Sequence, residues 1–241
     1  MVSQSRAIPV LITRPEPQAS RFRQALLDRY GDKVNPILSP LLCPVVVATQ
    51  VEPGAFHSVV FTSETGVQAA RTLDLSLPRR AYCVGDRTAE VARALGFESI
   101  SANGASGDLA QMLANHPEDA PFLHLHGRDS VGDVAQALAD RGVRAESRVI
   151  YAQEPSPLNE TVKFTLQSCG PVIVPLFSPR SARLFGAACA GLTLHATLHV
   201  VVLSPAVAQA VADMQVQQVK VAAAPTQKDL LLAMDHCFLN A

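Results

Sequence analysis

Tryptophan is missing from the 241 residues, aromatic residues reach only 5% and charged residues 17%, and 20 basic side chains stand against 21 acidic ones. A net charge of −1 with no Lys/Arg block excludes a surface built to neutralise nucleic-acid phosphates. No apolar run reaches the roughly 20 residues that cross a bilayer. Met1 to Arg6 lead directly into a strand pattern, not into a signal-peptide core, so a cytoplasmic location away from membranes is expected. Cysteine is sparse: Cys43, Cys83, Cys169, Cys189 and Cys237 are odd in number, widely spaced and mostly set in apolar stretches, as buried thiols are in a reducing compartment. Neither they nor the pairs His124/His126 and His195/His199 come with a ligand cluster, so no metal is expected. A GxGxxG turn, a Walker lysine, a GxSxG elbow and an HExxH helix are all lacking, which leaves nucleotide-binding, serine-hydrolase and zincin readings without support.

What is plentiful is apolar sequence, 48% of the chain, ample for one large or two small packed domains. It falls into short runs that alternate with helical patterns. Ile8 to Thr13 reads as a buried strand and Arg14-Pro15-Glu16-Pro17 opens a helix with Phe22, Ala25 and Leu26 at core spacing. Val34 to Leu38, His57 to Phe61, Ala81 to Val84 and Phe97 to Ile100 are further strands, with helices over Gly66 to Leu73, Ala89 to Leu95 and Asp108 to Ala114. Strand, turn and helix in repetition predict an α/β fold with parallel sheets.

The pattern restarts at Pro121. Phe122 to Arg128 followed by a helix over Val131 to Arg141 echoes Val10 to Arg29; Val60 to Ala70 echoes Leu176 to Ala188; Tyr82 to Gly96 echoes Val200 to Asp213; Phe97 to Ala114 echoes Val216 to Met234. The Pro-punctuated run Leu41 to Ala48 and the stretch Ser147 to Tyr151 would pair as a two-stranded bridge. The expected fold is therefore two similar parallel-sheet α/β lobes: residues 1–40 with 155–241, and residues 51–146, joined by a two-stranded linker of 41–50 and 147–154, with a cleft between them.

In such sheets ligands bind outside the carboxyl ends of the strands. There Phe61-Thr62-Ser63 and Phe177-Ser178-Pro179 each carry an apolar strand into hydroxyl residues and a helix start, where free amides and the helix dipole favour an anion. The same hydroxyls also serve as helix caps, a use compatible with binding because a cap occupies one amide. Gly85-Asp86-Arg87-Thr88-Ala89 makes a third such turn, and Arg14, Arg87, Arg128 and Arg180 all follow strand ends, as suits a ligand with several carboxylates.

Thr13-Arg14-Pro15, Phe61-Thr62-Ser63, Val84 to Ala89, Val149-Ile150-Tyr151, Phe177-Ser178-Pro179 and Ala224-Pro225-Thr226, in this order over nearly the whole chain, resemble the uroporphyrinogen-III synthase family. The resemblance implies a cofactor-independent lyase that closes the linear tetrapyrrole hydroxymethylbilane to uroporphyrinogen III, losing water and inverting the last ring. It implies that Tyr151, matching the family's tyrosine on the second linker strand, donates a proton to the leaving hydroxyl. Arg14, Thr62, Ser63, Arg87, Thr88, Arg128, Ser178 and Ser204 would bind the substrate, and the protein would act as a monomer. One departure stands out: Leu203-Ser204-Pro205-Ala206-Val207 replaces a second Gly-x-x-Thr-Ala turn, so Val207 lacks the hydroxyl and Ser204 or backbone amides must substitute. A non-catalytic two-lobed carrier of a small polyanion would share these features, whereas a nucleotide-sugar transferase would need a diphosphate or metal site that the sequence does not supply.

Overall fold

The computed structural model describes residues 7–130 and 132–238; Met1 to Arg6 and Val131, the expected start of a helix, lie outside them. Along the chain run β1 (Ile8–Ile12), α1 (Gln18–Tyr30), β2 (Val34–Leu38), β3 (Leu42–Val46), β4 (Ser58–Phe61), α2 (Glu64–Thr72), β5 (Arg80–Cys83), α3 (Asp86–Ala94), β6 (Glu98–Ser101) and α4 (Ser106–Ala114). There follow β7 (Phe122–Gly127), α5 (Val134–Ala139), β8 (Ala145–Pro155), α6 (Glu160–Gln167), β9 (Gly170–Leu176), α7 (Pro179–Ala190), β10 (Ala196–Val202), α8 (Pro205–Gln209), β11 (Gln218–Val221) and α9 (Gln227–Asp235). Among the described residues no helix is long and apolar enough to cross a membrane.

The chain divides into two compact units, one made of residues up to Cys43 together with those from Pro155 onward, the other of Pro44–Glu154. The first holds a sheet in the order β11-β10-β9-β1-β2, the second a sheet in the order β3-β8-β7-β4-β5-β6. Apart from β3, the neighbouring strands run parallel in both. The two orders are the same order. β2, β1, β9, β10 and β11 of the first unit correspond to β8, β7, β4, β5 and β6 of the second, so the echoes in the sequence are one topology built twice from interleaved segments.

Parallel strands are covered on both faces, which is why Val59-Val60-Phe61 and Val200-Val201-Val202 are continuous apolar runs with no exposed member. In the second unit Val59, Phe61, Leu123 and Leu125 face one layer with Val67, Ala70, Ala89 and Ala92 of α2 and α3. Val60, Tyr82 and Phe122 face the other layer, with Leu109 and Leu113 of α4 and Val134 and Leu138 of α5. In the first unit Phe185, Val207 and Val162 cover one face and Phe22, Leu26 and Leu230 the other. Each such large side chain contributes roughly 1.5–3 kcal/mol by leaving water.

β3 and β8 are neighbours, and the amide bonds Ser156 N to Leu41 O and Val47 N to Ile150 O, each 2.9 Å, fit an antiparallel ladder. The second bridge strand is thus the continuation of a sheet strand: β8 pairs with β7 over its first half and runs on beside β3. α6 has no counterpart among the expected elements. Asn159 caps it by accepting from Val162 N at 2.9 Å, and Leu158, Val162 and Leu166 bury one stripe. α5 is shorter than the Val131 to Arg141 run, and α8 is five residues against nine in its counterpart α3.

Candidate functional site

The strand order of each unit reverses once, between β7 and β4 in the second and between β1 and β9 in the first; in parallel sheets this switch point is where strand ends leave room for a ligand. At the end of β4, Ser63 takes the extended conformation of an N-cap and accepts from Gly66 N at 3.0 Å. A side chain at Gly66 would stand 3.2 Å from the Leu125 carbonyl oxygen and 3.3 Å from the Ser63 hydroxyl, so the close seat of α2 on the sheet needs the glycine.

Tyr151 reaches the same cap. Its phenol oxygen lies 3.0 Å from Ser63 Oγ. The pairing of β8 with β7 shifts just before it: His126 stands opposite Val149 but Gly127 opposite Tyr151, leaving Ile150 as an extra, fully buried residue. Such a bulge re-aims the side chain that follows it. Gly127 then makes room for the ring, since a Cβ there would come within 2.6 to 2.8 Å of Tyr151 carbons and its hydroxyl.

Beside them Thr62 Oγ1 lies 3.2 Å from His124 Nε2, and His124 Nδ1 lies 3.3 Å from Ser147 Oγ. The Ser147 hydroxyl donates at 3.1 Å to Asp133 Oδ1, which also caps α5 by accepting from Ala135 N and Gln136 N. His124 is 1% exposed and its ring stacks on that of His126 at 4.7 Å. Burial, aided by His126 and opposed by Asp133, pushes its pKa down to about 4, so it is neutral at physiological pH. Burial would raise the Asp133 carboxyl, but the bonds from Gln136 N, Ser147 and Ala135 N outweigh it and keep the group ionised.

In the first unit, Ser178 caps α7 by accepting from Ser181 N at 3.2 Å and donates its own hydrogen to Ser181 Oγ at 3.0 Å. The residue before the cap is Phe177, and the Arg14 guanidinium lies 3.8 Å over its ring while donating to Gln227 Oε1 at 3.4 Å. Burial and the nearby Arg21 lower the Arg14 pKa. Thr13 is buried with no partner for its hydroxyl among the described residues.

The other expected residues are less engaged. Arg87 is exposed in the first turn of α3, and Arg128 is exposed and paired with Glu154 at 3.1 Å. Thr88 is 5% exposed and Val207, its counterpart, 2%; Val207 packs in the core of the first unit. Ser204 caps α8 without a side-chain bond. Tyr151 thus meets Ser63 at one switch point, where the neighbouring Thr62 meets His124, and Arg14 and Ser178 belong to the other. His124, Ser147, Asp133 and Gly127 are the participants that the motifs pass over; the His124/His126 alternation on one strand face is visible in sequence, but not that His124 is a buried hydrogen-bonded ring. His116, Glu118 and Asp119 bring ligand atoms within 4.8 Å of one another at an outer turn, but Asp119 is engaged by Arg80 and by the Tyr82 hydroxyl at 2.5 Å.

A family model described as uroporphyrinogen-III synthase HemD matches residues 22–231. No curated protein matches the chain. Among solved structures, uroporphyrinogen-III synthetase from Helicobacter pylori 26695 superposes with a TM-score of 0.60 at 16% identity, over 95% of this chain and 99% of that one, a likeness of fold. A mutant uroporphyrinogen III synthase from the extremely thermophilic bacterium Thermus thermophilus reaches 0.44 at 14% identity, over 98% and 100% of the two chains, too loose a match to carry weight.

Proposed function

The chain belongs to the uroporphyrinogen-III synthase family, and from that premise we propose that Tyr151 is the acid of its reaction and that strand-end turns bind groups of the substrate. The reaction closes hydroxymethylbilane to uroporphyrinogen III with loss of water and inversion of ring D, and the enzyme is a cofactor-independent cyclising lyase. The substrate is flexible and also closes without help to the uninverted isomer. Fixing its two ends in one geometry is worth up to about 7–11 kcal/mol, and it must also forbid the competing closure.

The observation that carries the assignment is the Tyr151–Ser63 contact at the start of α2. A tyrosine holds a proton to give at neutral pH. As the terminal C–O bond breaks, that proton goes to the departing oxygen, the pyrrole nitrogen pushes in its electron pair, and a cationic azafulvene remains beside the phenolate. Ser63 Oγ already accepts from Gly66 N, so its own hydrogen is available to the phenolate, and the positive end of α2 favours the same charge. When the substituted ring has been attacked and the tetrapyrrole re-forms, the proton lost from carbon can return to the phenolate.

Carboxylate binding falls to amides and cations. Arg14 has lost hydration against Phe177 and lies near Arg21, costs that an anion would relieve. Ser178 and the first turn of α7 offer amides beside it, while Arg87, Arg128, Thr88 and Ser204 mark the strand-end turns that would take the remaining side chains of the substrate. The protein is read as a monomer of the cytoplasm that binds neither nucleic acid nor membrane; all five cysteines are free, with Cys43 and Cys169 exposed, which suits a reducing compartment.

The test is to supply hydroxymethylbilane, oxidise the products and separate the isomers. Isomer III in excess is expected; isomer I alone, at the rate without protein, overturns the assignment, and tight binding of the substrate without turnover would make the protein a carrier.

A further inference from the structure

The chain of groups behind Thr62 can carry its hydrogens in one direction only. Asp133 is ionised and therefore accepts, so the single hydrogen of Ser147 goes to it. Ser147 Oγ, with its hydrogen committed, can only accept from His124 Nδ1 at 3.3 Å, which places the ring proton on Nδ1. His124 is neutral, so Nε2 carries a lone pair, and the Thr62 hydroxyl 3.2 Å away must donate to it. Thr62 is half-buried, and with its hydrogen committed to His124 its hydroxyl can offer a ligand only oxygen lone pairs.

We propose that Thr62 acts on the substrate as a hydrogen-bond acceptor for a pyrrole N–H, with His124, Ser147 and Asp133 as positioning residues that hold its proton away from the ligand. This rests on the synthase reading, whose substrate offers two kinds of polar group. Its carboxylates are acceptors and would meet the Thr62 lone pairs with repulsion; its pyrrole N–H groups are neutral donors and fit them. The Thr62 hydroxyl thus selects the pyrrole N–H edge of the substrate and leaves the acid side chains to amides and arginines. The buried ring serves this purpose better than a surface group, because solvent cannot exchange the donor and acceptor roles at either nitrogen.

Two measurements test it. Long-range proton–nitrogen correlation on the histidine-labelled protein, with a His124→Gln sample to assign the resonances, reads the tautomer directly; the neutral Nδ1–H form is expected, and an Nε2–H or charged ring at neutral pH overturns the proposal whether or not the protein turns over hydroxymethylbilane. In the synthase assay, Thr62→Val is expected to lower kcat/KM about three- to tenfold, as loss of one neutral hydrogen bond does. The loss should be equal at low and high salt, and isomer I should rise in the product. His124→Leu, which removes the acceptor for the Thr62 hydrogen, is expected to lower kcat/KM and raise isomer I as Thr62→Val does, and His124→Gln, which restores an acceptor, to recover part of that loss. A Thr62→Val defect that fades at high salt would identify a carboxylate contact and overturn the proposal, as would an unchanged kcat/KM and isomer ratio in that variant.

Discussion

In one unit the residue before the cap serine is Thr62, bonded to a buried histidine; in the other it is Phe177, lying under the guanidinium of Arg14. The cap serines differ too. Ser178 closes on its own helix through Ser181, whereas Ser63 caps its helix and also meets Tyr151. The same topology therefore supports a polar, proton-bearing site in the second unit and a cationic, partly desolvated one in the first. Duplication supplied two strand-end turns, and the difference lies in what stands behind each: a bulged strand with a glycine in one case, an aromatic platform in the other.

The largest expected effect of breaking this asymmetry is at Tyr151, the proposed acid. Tyr151→Phe should lower kcat by roughly 10²–10⁴ and let isomer I accumulate, with the folded state unchanged by circular dichroism; turnover and isomer III at the original level would remove Tyr151 from the chemistry. Next in size is an acid sensitivity confined to the second unit, because among the described residues no histidine other than His124 is buried. Its folded pKa of about 4 lies below the unfolded 6.5, so the neutral ring stabilises the fold fully above pH 6.5, and that contribution is lost as pH falls toward 4. The difference amounts to about 3 kcal/mol, read as the gap between denaturation midpoints of wild type and His124→Gln across that window. The groups facing the ring, stacked His126 and ionised Asp133, act in opposite senses and are common to both proteins, so parallel curves would show that His124 does not titrate as described.

A smaller effect is expected at Gly127. Gly127→Ala sets a methyl against the Tyr151 ring and should cost about 1–3 kcal/mol of stability, with a fall in kcat that follows the displaced phenol; Tyr151→Phe combined with it should show little further loss of activity. Retained activity and stability would mean that the bulge, and not the missing side chain, positions the ring. Smallest is the pair of caps. Ser63→Ala and Ser178→Ala should each cost about 1 kcal/mol in thermal or denaturant unfolding, but Ser63→Ala should lower kcat while Ser178→Ala shows in KM. Equal kinetic consequences would dissolve the distinction between the two turns.

Much of the architecture is legible from residue order. Runs such as Val59-Val60-Phe61 and Val172 to Leu176 can only be strands covered on both faces, and their alternation with cap residues and helical spacing yields the repeated α/β pattern. α6 is illegible for a physical reason: it is short, flanked by Pro155 and Pro157, and held by Leu158, Val162 and Leu166 burying against β9 and β10 neighbours rather than by its own propensity. The site divides the same way. Ser63 and Ser178 announce themselves as caps, but that Thr88 and Val207 are both buried is visible only in the fold.

By itself the amino-acid order determined the fold class, the duplication, the family and the places where strands meet helix starts, because these depend on periodicity and local turn chemistry carried by neighbouring residues. Only the tertiary structure decided what surrounds those places. The one-residue bulge that turns Tyr151 toward Ser63 and the chain from Asp133 through Ser147 and His124 to Thr62 join residues from β4, β7, α5 and β8. Hydrogen-bond direction and burial are properties of atoms brought together in space, and no spacing along the chain encodes them.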